Sequence, residues 1–156
     1  GPGGPAGPAG AVGPAGQTAA VTSVSLAADY TVNTAAWANV AGMSVTFTAT
    51  KTTALLIFST SGFAYTNSMA YVQFRVRNGA TTIGGTNAHM QDYDDVTGTV
   101  TPWSCTFTEN VTGLTIGNVY TFQVQAQRNG IFGVYDAVIQ AATIPDAHHM
   151  TLSVIQ

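Results

Sequence analysis

Along most of this chain apolar and polar residues alternate one for one. That is the period of a strand with one face in a core and the other in water. Val45, Phe47 and Ala49 alternate with Ser44, Thr46, Thr48 and Thr50. Val72, Phe74 and Val76 alternate with Tyr71, Gln73, Arg75 and Arg77. Tyr120, Phe122, Val124 and Ala126 alternate with Thr121, Gln123, Gln125 and Gln127. Near the end Met150, Leu152 and Val154 alternate with Thr151, Ser153 and Ile155. Trp103, Cys105 and Phe107 share one strand face by the same rule. One stretch departs from it: Ala54-Leu55-Leu56-Ile57-Phe58 is apolar on both faces. Such a strand is expected where one face meets the core and the other meets a neighbouring subunit.

Turn residues punctuate the runs. Arg77-Asn78-Gly79 and Arg128-Asn129-Gly130 each end a strong strand, and Asn-Gly suits the positive φ angles of a tight hairpin. Gly84-Gly85, Gly98 and Val111-Thr112-Gly113 mark further bends. No amphipathic helix is evident. The pattern predicts strands over 21–26, 30–33, 43–49, 53–65, 69–77, 80–83, 86–92, 103–109, 118–128, 131–140 and 149–155. About ten antiparallel strands with short connections imply an all-β domain, a two-sheet sandwich or jelly roll.

The first eighteen residues keep another period. Glycine stands at Gly1, Gly4, Gly7, Gly10, Gly13 and Gly16, opening six Gly-X-Y triplets. Only glycine fits the axis of three winding polyproline-like chains, so the run predicts a collagen-like stalk and hence a homotrimer. Composition changes sharply at Ala19. Seven of the 17 glycines and four of the six prolines precede it. The organisation expected is a stalk over 1–18 and a head, also the trimerisation domain, over 19–156. The Y positions hold Gly, Ala, Val and Thr but no Pro, so a stalk relying on hydroxyproline there is not indicated. Six such triplets are marginal alone, and the head is expected to nucleate the triple helix. The triplets are in phase from residue 1 with no initiator Met, which suggests a piece or processed form of a longer fibre.

Charge narrows the partners. Charged residues make up 7% of the chain, against about 25% in typical domains. Four Lys and Arg and a net charge of −3 supply no basic stripe for nucleic acid or an anionic membrane. No apolar run approaches the roughly 20 residues of a membrane-spanning helix, so membrane insertion is not expected. The single cysteine, Cys105, reads as a small buried hydrophobe with no basic neighbour to activate it.

Candidate chemistry is sparse. Asp92-Tyr93-Asp94-Asp95 is the one acidic cluster. It reads first as a solvated, turn-forming cluster, with a hard cation such as Ca²⁺ at a trimer apex as the alternative. His148-His149 precedes the last strand. Adjacent strand residues point to opposite faces, so the two do not form a chelating pair within one chain. One of them meeting its symmetry mates on a threefold axis would make a zinc or nickel site. No other cofactor is indicated. Tyr93 and Tyr135 are the aromatic candidates for receptor contact, beside Asp92, Asp94 and Asp95. No nucleophile elbow, phosphate loop or singled-out carboxylate pair is present, so no catalytic residue is assigned. Asn110-Val111-Thr112 is a glycosylation sequon that matters only on a eukaryotic secretory path.

A Gly-X-Y stalk followed at once by an all-β head resembles collagen-stalked trimeric proteins. Their heads have the complement-type or tumour-necrosis-factor-like jelly roll. The matching places are Leu55 to Phe58, the segment from Leu114 to Tyr120, and the short C-terminal strand. The low charge and richness in Thr, Ala, Ser and Asn look most like bacteriophage fibre tips and bacterial collagen-like surface proteins. The resemblance implies that the inner sheet forms the threefold interface and includes the last strand. Leu55, Leu56, Ile57, Phe58, Leu152, Val154 and Ile155 then belong to interface or core, with both termini at the stalk end. His148 and His149 would sit near the distal end. A second resemblance runs from Val111 to Phe122, where Leu114, Gly117 and Tyr120 are similar to the Leu-x-x-Gly-x-x-Tyr corner of fibronectin type III domains.

Function is expected to be non-enzymatic. The leading expectation is a fibre tip on a virion or cell surface, extracellular, joined to the rest of a longer fibre and attaching to a surface glycan or protein receptor. The alternatives are a structural subunit of a collagen-like filament and a fibre-borne hydrolase.

Overall fold

A computed structural model describes residues 1–13, 19–66, 69–85, 88–93, 99–128 and 136–156. Among these residues eleven strands run in chain order: β1 Val21–Ser25, β2 Tyr30–Val32, β3 Ala38–Thr48, β4 Ala54–Thr66, β5 Met69–Asn78, β6 Thr81–Thr82, β7 Ala88–Tyr93, β8 Thr99–Val111, β9 Val119–Arg128, β10 Ala137–Ile139 and β11 Met150–Ile155. One 3₁₀ turn spans Ile83–Gly85. No α-helix occurs among the described residues. Residues 1–13 hold no strand or helix and are exposed throughout.

The strands form two antiparallel sheets packed as a sandwich. One runs β1-β11-β4-β10-β2 with β8 beside β4, and the other runs β3-β9-β5-β6 with β7 beside β5. Strand β4 is the spine of the first sheet. Strand β8 pairs with all of it, from Ala54↔Val111 to Thr66↔Thr99. Its other edge is shared. Strand β11 takes Leu55 to Thr60, and β10 takes Phe63 and Ala64.

Gly62 marks the changeover. A Cβ there would lie 2.2 Å from the Val138 carbonyl oxygen and 2.7 Å from the Trp103 ring. The site therefore demands glycine for space. Trp103, opposite it on β8, covers the bare backbone.

The core lies between the sheets. Phe58, Phe74, Phe122, Met43, Leu56, Ile139, Met150 and Leu152 are wholly buried. Phe74 bridges the layers, with ring centroids 5.6 Å from both Phe58 and Trp103. Cys105 sits in this core, and burial pushes its thiol up to about 11. It is a packed hydrophobe, unreactive near neutrality.

Several strand ends differ from the sequence pattern. Strand β3 starts at Ala38 and not at 43, because a bulge absorbs Val40 to Met43. Asn39 pairs with Gln125 and Ser44 with Gln123. Gly42 takes φ 77° inside that bulge, which makes the segment read as a turn. Strand β8 extends to Thr99–Val111, running through Pro102, a residue whose missing N–H argues against strand in a sequence reading. Of the strand expected over 131–140, only Ala137–Ile139 is strand among the described residues.

The fibronectin-like corner is locally present in a different fold. Leu114 is buried, and the Thr115 N–H donates to the Tyr120 hydroxyl at 2.9 Å. A tyrosine hydroxyl bonded to backbone a few residues upstream is the tyrosine-corner arrangement. Here it braces the turn between β8 and β9.

Candidate functional site

The two chain ends meet. The Ala20 and Gln156 backbones exchange N–H to C=O bonds of 2.9 Å in both directions. The Gly-X-Y run therefore joins the head beside β1 and the C-terminal end of β11.

The outward face of the six-stranded sheet starts at that point. Its first rung is apolar, Val21↔Ile155↔Leu55. Val21 is 61% exposed and Leu55 41%. Ile57 lies on the next rung, with Ser23↔Ser153↔Ile57. Alternation along β4 thus splits the doubly apolar stretch. Leu56 and Phe58 fill the core, while Leu55 and Ile57 look outward. On β11, Leu152 and Val154 are core and Ile155 is outward and half-buried.

Beyond this rung the face becomes a field of hydroxyls. The Ser23 and Ser153 hydroxyls lie 2.9 Å apart, and those of Ser59 and Thr106 lie 3.1 Å apart. The exposed His149 ring is held between two serines: Ser59 Oγ is 3.1 Å from Nε2 and Ser61 Oγ is 3.1 Å from Nδ1. A neutral imidazole donates through one nitrogen and accepts through the other, so one serine accepts and its neighbour donates. These two contacts tie the ring to β4. Thr60, facing the core, donates to the His149 carbonyl at 3.0 Å.

The far part of the same face turns apolar again. Phe63, Val100, Pro102, Ile144 and His148 line a depression of about 410 Å³. The His148 ring lies 5.4 Å from that of Phe63. A carboxylate braces the loop carrying the histidines. Asp29 accepts from the Ala142 N–H at 2.8 Å, the Thr143 N–H at 3.0 Å and the Thr143 hydroxyl. These bonds, the Thr143 hydroxyl first, hold its pKa below the usual carboxylate value.

One expectation about the histidines is corrected. Strand β11 begins only at Met150, so strict alternation does not govern the pair. His148 packs on Phe63 and His149 on Ser59 and Ser61, side chains on one side of β4. Both lie away from the Val21↔Ile155↔Leu55 rung, His148 the farther of the two. His149 lies across from Ser61, whose N–H donates to its carbonyl, and β4 runs on to Thr66. Among the described residues no three His, Cys, Asp or Glu side chains come together in one chain.

Asp92 and Tyr93 close β7, opposite Ala70 and Met69. Asp94, Asp95, Tyr135 and Gly16 lie outside the described residues. Sequence reasoning missed the serines and threonines around His149. The run from Ser59 to Ser61 is polar at three consecutive positions, which is the signal that marks both faces there as special.

No family model and no curated protein matches this chain. Among solved structures, it is similar to the infectious bursal disease virus Gx strain structure at 13% identity and a TM-score of 0.36. That match covers 89% of this chain and 36% of the viral one. It is similar to the structure of Eiger TNF from S. frugiperda at 10% identity and a TM-score of 0.54, over 90% of this chain and 93% of that one. At such identity the likeness is one of fold alone, and it places the sandwich among TNF-like jelly rolls.

Proposed function

We propose that the chain is a non-enzymatic, homotrimeric fibre tip. A collagen-like stalk over 1–18 presents three copies of the jelly-roll head for attachment to a cell-surface glycan or protein receptor, outside the cell or on a virion. The observation that carries this reading is the outward rung Val21↔Ile155↔Leu55. It is apolar and exposed, and it lies where the Gly-X-Y run enters the head. A monomer gains nothing from an apolar rung there. A threefold contact buries it and brings three stalk strands into register.

The face suits contact with its own copies. None of its described outward residues is an Asp, Glu, Lys or Arg, so symmetry brings no like charges together. Its serines and threonines both donate and accept, which lets identical copies pair. Trimerisation in turn raises weak single-site binding through effective concentrations in the millimolar range. No described helix is long and apolar enough to cross a membrane.

Sedimentation equilibrium of the full chain tests the assembly. A trimer has three times the 16.0 kDa chain mass. A monomer at micromolar concentration would sink the reading. Electron microscopy separates a tip, seen as discrete lollipops, from a filament subunit, seen as long polymers. A glycan array with the trimer tests attachment.

A further inference from the structure

The outward face of the other sheet carries a different chemistry. Strand β9 runs through it with Gln123, Gln125 and Gln127 outward. Pairing sets Arg77 beside Gln123, and Asn39 and Arg75 on either side of Gln125. Trp37, just before β3, has its ring 4.2 Å from the Arg75 guanidinium carbon. The β3 bulge draws that strand aside between Asn39 and Ser44. It leaves a shallow depression of about 520 Å³, lined in part by Asn39, Arg77, Gln123 and Gln125.

The lining is fixed in advance. Gln123 Nε2 donates to the Val40 and Met43 carbonyls at 3.0 and 3.2 Å. Gln125 Nε2 donates to Asn39 Oδ1 at 2.8 Å, and Arg75 Nε donates to Gln125 Oε1 at 2.8 Å. Among the described residues, Gln123 Oε1, Asn39 Nδ2 and the terminal nitrogens of Arg75 carry no hydrogen bond. Held amides with spare donors and acceptors suit a ligand whose neighbouring hydroxyls do both.

Charge selects the ligand further. The chain has four Lys and Arg and a net charge of −3, yet two arginines stand two positions apart on this face. Strands β3, β5, β6 and β9 contain no Asp or Glu. The Arg77 charge and partial burial both push the Arg75 pKa down, burial first. Two cations facing no carboxylate on their own strands favour an anion.

We propose that this depression binds an acidic saccharide. Its carboxylate meets Arg77 in the lining and Arg75 at the edge beside Gln125, and its hydroxyls meet the Asn39 and Gln123 amides. The proposal rests on the attachment function above and names the site and ligand class for it. Amides are superfluous for a bare phosphate, and a carboxylate alone would not use the spare acceptor of Gln123.

The test is an NMR titration of the full chain with sialyllactose, trigalacturonate, lactose and a triaspartate peptide. The readouts are the Trp37 indole and the glutamine side-chain amides. Both acidic sugars should shift these signals with low-millimolar dissociation constants. Lactose and triaspartate should bind at least tenfold more weakly. Arg75→Gln and Asn39→Ala should each weaken the acidic sugars about tenfold, with melting temperature and sedimentation unchanged. Absent shifts, equal binding of lactose or triaspartate, or wild-type binding by both variants would overturn the site. Array or cell attachment that both variants retain also overturns it, while leaving the attachment function standing. Sugar binding that fails to attach the trimer to any cell leaves this site standing and sinks that function instead.

Discussion

Leu55 and Leu56 are neighbours in sequence, and replacing each in turn should break different things. Leu56 is wholly buried in the core, whereas Leu55 is 41% exposed on the outward rung. Fully burying a leucine side chain is worth about 1.5–3 kcal/mol, so covering the exposed part of Leu55 gains about 1 kcal/mol per copy. Three copies contribute about 3 kcal/mol to a trimer, roughly 150-fold in its association constant. Leu55→Asp forfeits this gain and forces a carboxylate out of water at the contact, which costs several kcal/mol more unless the ion is paired. The expected product is a folded monomer, with sedimentation mass falling to one chain and denaturant midpoint of the isolated head nearly unchanged. Leu56→Ala should act on the other axis. It removes buried atoms and leaves a cavity, lowering folding stability by about 2–5 kcal/mol. Sedimentation equilibrium and urea unfolding of both variants at matched concentrations separate the effects. If Leu55→Asp still sediments as a trimer with less than tenfold weakening, the rung is not the contact. If the two variants lose stability equally, the assignment of faces along β4 is wrong.

Other positions give independent checks. Gly62→Ala should cost about 3 kcal/mol, at the upper end of overpacking, because its Cβ would press on the Val138 carbonyl. Gly79→Ala, with open space and φ 57°, should cost only the roughly 1–2 kcal/mol of a left-handed residue, and equal losses would refute the steric account. Cys105, with its thiol raised to about 11, should stay unlabelled by a disulfide reagent at pH 8 in the native state and react on unfolding. Asp29 has a depressed folded pKa, so the stability it lends is present above its unfolded value and lost as pH falls through the folded one. Hydrogen exchange should therefore show the Ala142 and Thr143 amides losing protection below about pH 4, and Asp29→Asn should abolish that dependence. Tyr120→Phe removes the hydroxyl that accepts from Thr115 and should lower stability by about 1 kcal/mol.

Much of the fold was legible because strand alternation survives almost everywhere. The core positions of β5, β9, β11 and the second half of β3 follow from a period of two alone. Where the period is interrupted, the reading slipped. Gly42 and its bulge hid the first half of β3, and Pro102, a residue that argues against strand, hid the start of β8. The functional faces were harder to see. Arg75, Gln125 and Asn39 are far apart in sequence and meet only because β9 lies between β3 and β5. The histidine pair was misplaced for a related reason. Its orientation depends on a loop braced by Asp29, more than a hundred residues earlier, and no local pattern reports such a tie.

The two outward faces divide the molecule's few charges unevenly, and the division constrains how it assembles. A face at a threefold axis meets copies of itself, so a single charge there becomes three like charges in close proximity. The outward face of the six-stranded sheet comes nearer to that restriction, since it carries no described Asp, Glu, Lys or Arg and its titratable side chains include only the histidines His148 and His149. The five-stranded sheet violates it with Arg75 and Arg77 and is better suited to look away from the axis. The stalk supplies the third constraint. Ala20 paired with Gln156 brings the Gly-X-Y run in beside that face, which is where the proposed trimer needs its three stalk strands. The apolar rung, the absence of charge and the point of stalk entry all favour the same sheet as the contact. A trimer built on that contact would leave the amide-and-guanidinium face free, as the proposed attachment requires.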